Sequence, residues 1–67
     1  MIEIVVNGRR RDVDPGLTLE SLLAALELPP GRVAVERNRR VVPHGSFATE
    51  PVEPGDCFEV VTLVGGG

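Results

Sequence analysis

Lysine, tryptophan and tyrosine are absent from this chain, and cysteine and histidine each occur once. One thiol, Cys57, leaves no internal disulfide. With a single histidine, His44, beside it, the chain cannot assemble the ligands of an iron–sulfur cluster or a thiolate zinc site. Without lysine there is no side-chain amine to form a Schiff base or to accept an acyl group; only the α-amino group remains for that chemistry. The apolar runs at residues 4–6 and 22–26 fall far short of the roughly 20 residues of a membrane-spanning helix. The opening residues have neither the basic leader nor the small-residue cleavage site of a signal peptide, so the expected compartment is cytoplasmic, where a lone reduced thiol is at home.

What is present fits one small folded unit. The chain has 67 residues, 42% of them hydrophobic and 25% charged. A domain of this size buries only about 60% of the surface its unfolded chain exposes, so a second core and a deep catalytic cleft are both excluded. The net charge of −3 disfavours a nucleic-acid backbone as the main ligand. All the cations are arginine, however, and they cluster at residues 9–11 and 39–40.

Alternation of β-branched residues predicts a first strand over 2–6. Asn7-Gly8 tolerates the positive φ angles of a two-residue hairpin turn, so residues 9–13 return antiparallel as a charged edge strand, the arginines discouraging unwanted pairing. Asp14-Pro15-Gly16 is a turn. Thr18 then caps a helix in which Leu19, Leu22, Leu23 and Leu26 form one apolar stripe, and Pro29 stops it near Glu27. Residues 33–36 and 40–42 read as two short strands around an Asn38-Arg39 turn, with Pro43 closing the second. The stretch 44–50 is irregular, and Phe47 is expected to pin it to the core. After Pro54-Gly55, residues 57–63 form a last strand. It is apolar on both faces, with Phe58 and Val60 on one and Val61 and Leu63 on the other, as in a central strand. The predicted core comprises Ile2, Ile4, Val6, Leu19, Leu22, Leu26, Val35, Phe58 and Val60. The whole is an α+β fold with a mixed sheet of four to five strands and one helix across a single face. Residues 1–63 form the domain and 64–67 a glycine-rich tail.

No nucleophile, acid–base pair or metal-ligating constellation is evident. His44 reads as a solvated loop residue, and Cys57 as a buried or half-buried inert thiol at a strand start. Gly65, Gly66 and Gly67 open no helix and lack the spacing of a phosphate loop. Instead they form an arm without side chains, able to enter a narrow channel and bring a carboxylate with it.

The layout resembles the ubiquitin-like β-grasp superfold. Several segments together make the chain similar to the ThiS family of bacterial sulfur carriers: Ile2 to Gly8, the helix opening Leu17 to Leu23, Val33 to Asn38 leading to Val41-Val42-Pro43, the Pro54-Gly55-Asp56 turn, and Val64-Gly65-Gly66-Gly67. That resemblance implies a protein co-substrate with no active site and no bound cofactor of its own. A ThiF-type adenylyltransferase, using ATP and magnesium, would adenylate Gly67. Sulfur drawn from cysteine by a desulfurase system would then convert the adenylate to a thiocarboxylate, and thiazole synthase would accept the sulfur for the thiazole of thiamine. Gly65 and Gly66 would thread the partners' active sites. Val61 and Leu63 are the candidates for docking, because an exposed apolar patch needs a purpose. The same carrier chemistry could serve molybdopterin synthesis or tRNA thiolation. An RNA-binding β-grasp module of the TGS type, using the arginine runs, is a further reading.

Overall fold

The computed structural model describes residues 1–63; the expected tail, 64–67, lies outside the described residues. The strands are β1 (Ile2–Val6), β2 (Arg9–Val13), β3 (Val33–Arg37), β4 (Arg40–Val42) and β5 (Cys57–Thr62), and the helix α1 (Leu19–Ala25) lies between β2 and β3. Single 3₁₀ turns occupy Pro30–Arg32 and His44–Ser46. The five strands form one mixed sheet in the order β2-β1-β5-β3-β4. β5 therefore holds the centre expected of a doubly apolar strand. It runs parallel to β1 and antiparallel to β3, while β1–β2 and β3–β4 are antiparallel hairpins.

Both hairpins turn through two residues in left-handed conformations, Asn7 and Gly8 at φ 51° and 80° and Asn38 and Arg39 at φ 51° and 69°. These are the angles of a type I′ turn, whose twist matches that of the strands it joins. Glycine accepts such an angle without penalty. Arg39 does not, because its Cβ crowds the adjacent carbonyl.

One face of the sheet is sealed by α1 and by the loop between β4 and β5. Ile4, Val35, Phe58 and Val60 of the sheet, Leu19, Leu22 and Leu23 of the helix, and Phe47 and Val52 of the loop form the main body of the core. Phe47 anchors its loop as expected. Leu23, Val33, Val42 and Val52 are also buried, although none was on the predicted core list. Ile2 and Leu26 are only partly buried. The helix ends earlier than its leucine stripe suggests: Leu26 is the C-cap and Glu27 sits at φ 59°. The Glu27 N–H donates to the Ala24 carbonyl and the Leu28 N–H to the Leu23 carbonyl. That pair of bonds is a Schellman motif, with Leu28 folded back onto the core as its apolar partner.

The N-terminus of α1 is closed just as fully. The Thr18 side chain accepts from the Ser21 N–H, while the N–H groups of Leu19 and Glu20 donate to the carbonyls of Glu50 and Phe47. These bonds satisfy donors that a helix of only seven residues cannot satisfy internally.

Glu27 is the strained member of the Schellman motif, since that position favours glycine. Replacing it (Glu27→Gly) is expected to raise stability by about 1 kcal/mol in equilibrium denaturation. Leu23→Ala, which removes a buried residue that contacts no solvent, is expected to cost about 2 to 5 kcal/mol in the same measurement.

Candidate functional site

The candidate site is the end of β5, and the surroundings of that strand are built to hold it straight. Its parallel pairing with β1 covers two positions, Val5 with Cys57 and Val6 with Phe58. Beyond them β1 turns away, and the Asn7 side chain continues the ladder. Its Oδ1 accepts from the Val60 N–H at 2.7 Å and its Nδ2 donates to the Val60 carbonyl at 3.0 Å. The carboxamide thus stands where the next peptide group of β1 would have been. On the other side β3 accompanies β5 to Thr62, and the Leu63 N–H donates to the Arg32 carbonyl at 2.7 Å.

The second turn asparagine holds the start of the same strand. Asn38 accepts through Oδ1 from the Cys57 N–H and donates through its own N–H to the Cys57 carbonyl, at 2.9 and 2.7 Å. Its Nδ2 donates to Asp56, which also receives Arg37 Nε at 2.7 Å and the Glu53 N–H at 2.8 Å. Arg37 reaches Glu50 as well, at 3.1 Å. Asp56 is the one buried charged residue among those described. Burial alone would raise its pKa, but the hydrogen bonds from Arg37, Asn38 and Glu53 outweigh burial and hold it below the ordinary aspartate value. The same pairing with Asp56 raises the Arg37 pKa, against the opposing effect of burial.

The sheet face away from the helix is open. Val41, Val61 and Leu63 are exposed by 75%, 59% and 49%, large values for apolar side chains in a chain of this size. Ala34 stands directly opposite Val61, and a shallow depression of about 100 Å³ lies between Ala34, Glu36, Val41, Glu59 and Val61. Glu36 and Glu59 are cross-strand partners, so two like charges face each other beside the apolar patch. Cys57 is also exposed, contrary to the buried or half-buried thiol expected from its strand position. Burial in β5 follows the alternation of the strand, and Cys57 falls in phase with Glu59 and Val61 on the open side.

His44 is exposed, as a solvated loop residue is expected to be, but it is also held in place. Its Nε2 donates to the Val33 carbonyl at 2.6 Å and its ring packs on Phe47 with centroids 4.9 Å apart. The bond extends the β3–β4 pairing by one rung after Pro43 has ended β4. The two arginine runs do not form a single stripe: one lies on β2 and the other at β4, the opposite edges of the sheet. Four strand spacings separate them, about 19 Å. Among the described residues no group of three or more His, Cys, Asp or Glu side chains is gathered to hold a metal ion, and no helix is long and apolar enough to cross a membrane.

Comparison with known proteins gives this geometry a family. The model of the ThiS family matches residues 4–67. The chain belongs to the ThiS family. A crystal structure of the thiamine biosynthesis protein ThiS from Geobacter metallireducens superposes with a TM-score of 0.84 at 33% identity, covering 98% of this chain and 100% of that one. A thiazole synthase of Paramagnetospirillum magneticum is 41% identical over 66 residues, 98% of this chain. This ThiS-family chain spans only 20% of the length of that relative. At the level of fold alone, a designed protein based on a template of human erythrocytic ubiquitin matches with a TM-score of 0.51 at 18% identity. The fold is ubiquitin-like.

Of the residues singled out from the sequence, Val61 and Leu63 lie exposed beside the end of β5, and Gly65, Gly66 and Gly67 lie outside the described residues. Asn7, Asn38 and Arg37 were missed as contributors. An asparagine in a hairpin turn is fully explained by its backbone angle, and nothing in the sequence signals that its carboxamide reaches another strand.

The Asp56 network sets an acid limit on stability. The folded-state pKa lies below the unfolded one, so this carboxylate contributes stability that is fully present above the ordinary value of 3.8 and is lost as pH falls through the folded value. Denaturation of the native chain is expected to become easier across that range. Asp56→Asn is expected to cost about 2 to 3 kcal/mol at neutral pH and to flatten this part of the pH profile.

Proposed function

We propose that this chain is a sulfur carrier for the thiazole of thiamine, acting as a protein co-substrate with no catalytic residues of its own. The observation that carries this reading is the family match, which spans the β-grasp domain and continues through the glycines to Gly67. In this reading residues 64–67 are an arm beyond the domain. Glycine has no Cβ, so the arm fits a channel closed to other side chains. The Gly67 carboxylate attacks the α-phosphorus of ATP in a ThiF-type enzyme, forming an acyl adenylate and releasing pyrophosphate, with magnesium serving on the enzyme side. A persulfide formed from cysteine by a desulfurase then attacks the acyl carbon and displaces AMP, giving an acyl disulfide, and a thiol reductant cleaves its S–S bond to release the thiocarboxylate. Thiazole synthase takes the sulfur, an oxygen from its substrate or from water replaces it at the acyl carbon, and the carboxylate returns.

The relationship to a thiazole synthase supports that acceptor as partner, since a segment similar to this whole domain is built into the longer protein. The docking surface in this proposal is the open sheet face around Val61 and Leu63, where exposed apolar area adjoins the exit of β5. The facing Glu36 and Glu59 suit a partner that presents a cation at the rim of its own apolar patch.

Intact-mass analysis tests the chemistry directly. After incubation with a ThiF-type enzyme, ATP, magnesium and a sulfur source, the expected product carries an oxygen-to-sulfur mass gain on Gly67. The gain is absent when Gly67 is deleted and retained in Cys57→Ser. Retained loading without Gly67 would overturn the reading. For docking, Val61→Asp is expected to weaken binding to thiazole synthase about 10-fold while leaving the melting temperature nearly unchanged.

A further inference from the structure

Among the described residues, β5 is a central strand with one bare rung. Backbone groups alternate in direction along a strand, and here the alternation can be followed bond by bond. The Phe58 carbonyl and both backbone groups of Val60 face β1, where Asn7 meets them. The N–H of Leu63 faces β3. Thr62 therefore directs its N–H and carbonyl to the β1 side, one rung past the Asn7 carboxamide. Among the described residues nothing pairs with them there. Thr62 is exposed.

The protein protects its other edges. β2, at one edge, carries the exposed Arg9, Arg10 and Arg11, and β4, at the other, is only three residues long with Pro43 directly after it. Charge, brevity and proline are the usual defences against stray strand pairing. On the β1 side of β5 the last residue seen in contact is Asn7, whose uncharged carboxamide supplies none of these. Meanwhile β3 holds Thr62 and Leu63 extended from the other side, so the rung is already ordered for a strand to join it.

We infer that the free backbone edge at Thr62 is a strand-addition site for an extended segment of the adenylating enzyme, which pairs main chain to main chain in line with β1. Asn7 is the positioning residue of this site, because its carboxamide ends the internal ladder and fixes where the added strand begins. The inference rests on the carrier reading above. It also answers a chemical need of that reading: three consecutive glycines offer a partner only peptide groups to recognise, and β-sheet pairing reads peptide groups.

The test removes one N–H. Thr62→Pro deletes the donor that faces β1 and leaves the Leu63–Arg32 bond to β3 in place. Thr62→Val changes the side chain and keeps the donor. Because proline in a strand can unfold a small domain, a second form avoids it. Residues 57–67 are synthesised with an ester oxygen in place of the Thr62 N–H and ligated through the Cys57 thiol to residues 1–56. Adenylation is followed by ATP–pyrophosphate exchange with the ThiF-type enzyme, and folding by thermal melting. The proline and ester forms are expected to lose about 3- to 10-fold in kcat/KM for the carrier, with KM for ATP unchanged and Thr62→Val at the unmodified level. Folded ester protein that is adenylated at the unmodified rate would overturn the inference while leaving the carrier reading intact. So would an equal loss in Thr62→Val. Failure of the unmodified chain to be adenylated at all would overturn both.

Discussion

Only two residue pairs join β1 to β5, Val5 with Cys57 and Val6 with Phe58, yet this parallel seam unites two otherwise separate hairpins into one sheet. Two positions are few for a sheet centre, and the turn asparagines make up the difference. Asn7 adds two bonds at Val60, and Asn38 closes around the peptide groups of Cys57 from the opposite hairpin. Each asparagine serves twice: its backbone adopts the left-handed angle the turn requires, and its carboxamide binds the strand between the hairpins. At position 7 neither glycine nor aspartate can do both, since one lacks the side chain and the other lacks the donor to the Val60 carbonyl.

The helix depends on the long loop as much as on the sheet. Seven residues are too few for an isolated helix in water, so α1 persists because its leucines are buried and its ends are bonded. The carbonyls of Phe47 and Glu50 close its first turn, and the loop that supplies them is tied down by Phe47 and Val52 in the core and by the Arg37 bond to Glu50. Arg37 thereby links helix capping to the lead-in of β5, because the same guanidinium holds Asp56. Loop, helix and central strand share one electrostatic anchor.

Much of this was legible beforehand. β1, β2 and β4 lie at their expected residues, and the two hairpins and the central place of β5 follow from alternation, turn dipeptides and double-sided apolarity. These are local signals with a short period. What was not legible depends on contacts distant in sequence. Leu26 fits the apolar stripe by spacing, but the left-handed Glu27 ends the helix around it, and no glycine marks the spot. Cys57 was misjudged because a strand start says nothing about which face the first residue takes; the phase comes from Phe58 and Val60. His44 carries no motif, and its bond to Val33 exists only because β3 passes beside it. At the candidate site, the exposure of Val61 and Leu63 could be read from the pattern, whereas the clamp by Asn7 could not: 53 positions separate it from Val60.

The central strand is also the one synthesised after its neighbours. Each hairpin and the helix can form from contiguous residues, but the seam between the hairpins waits until β5 arrives. Contacts this remote in sequence carry the largest loop-closure cost and are among the slowest to form. The nascent chain must therefore hold β1 and β3 with their inner edges unsatisfied, a state open to misassociation. Completion of the sheet therefore depends on the last of its strands to be made, so both hairpins must wait in a competent state for β5 to join them.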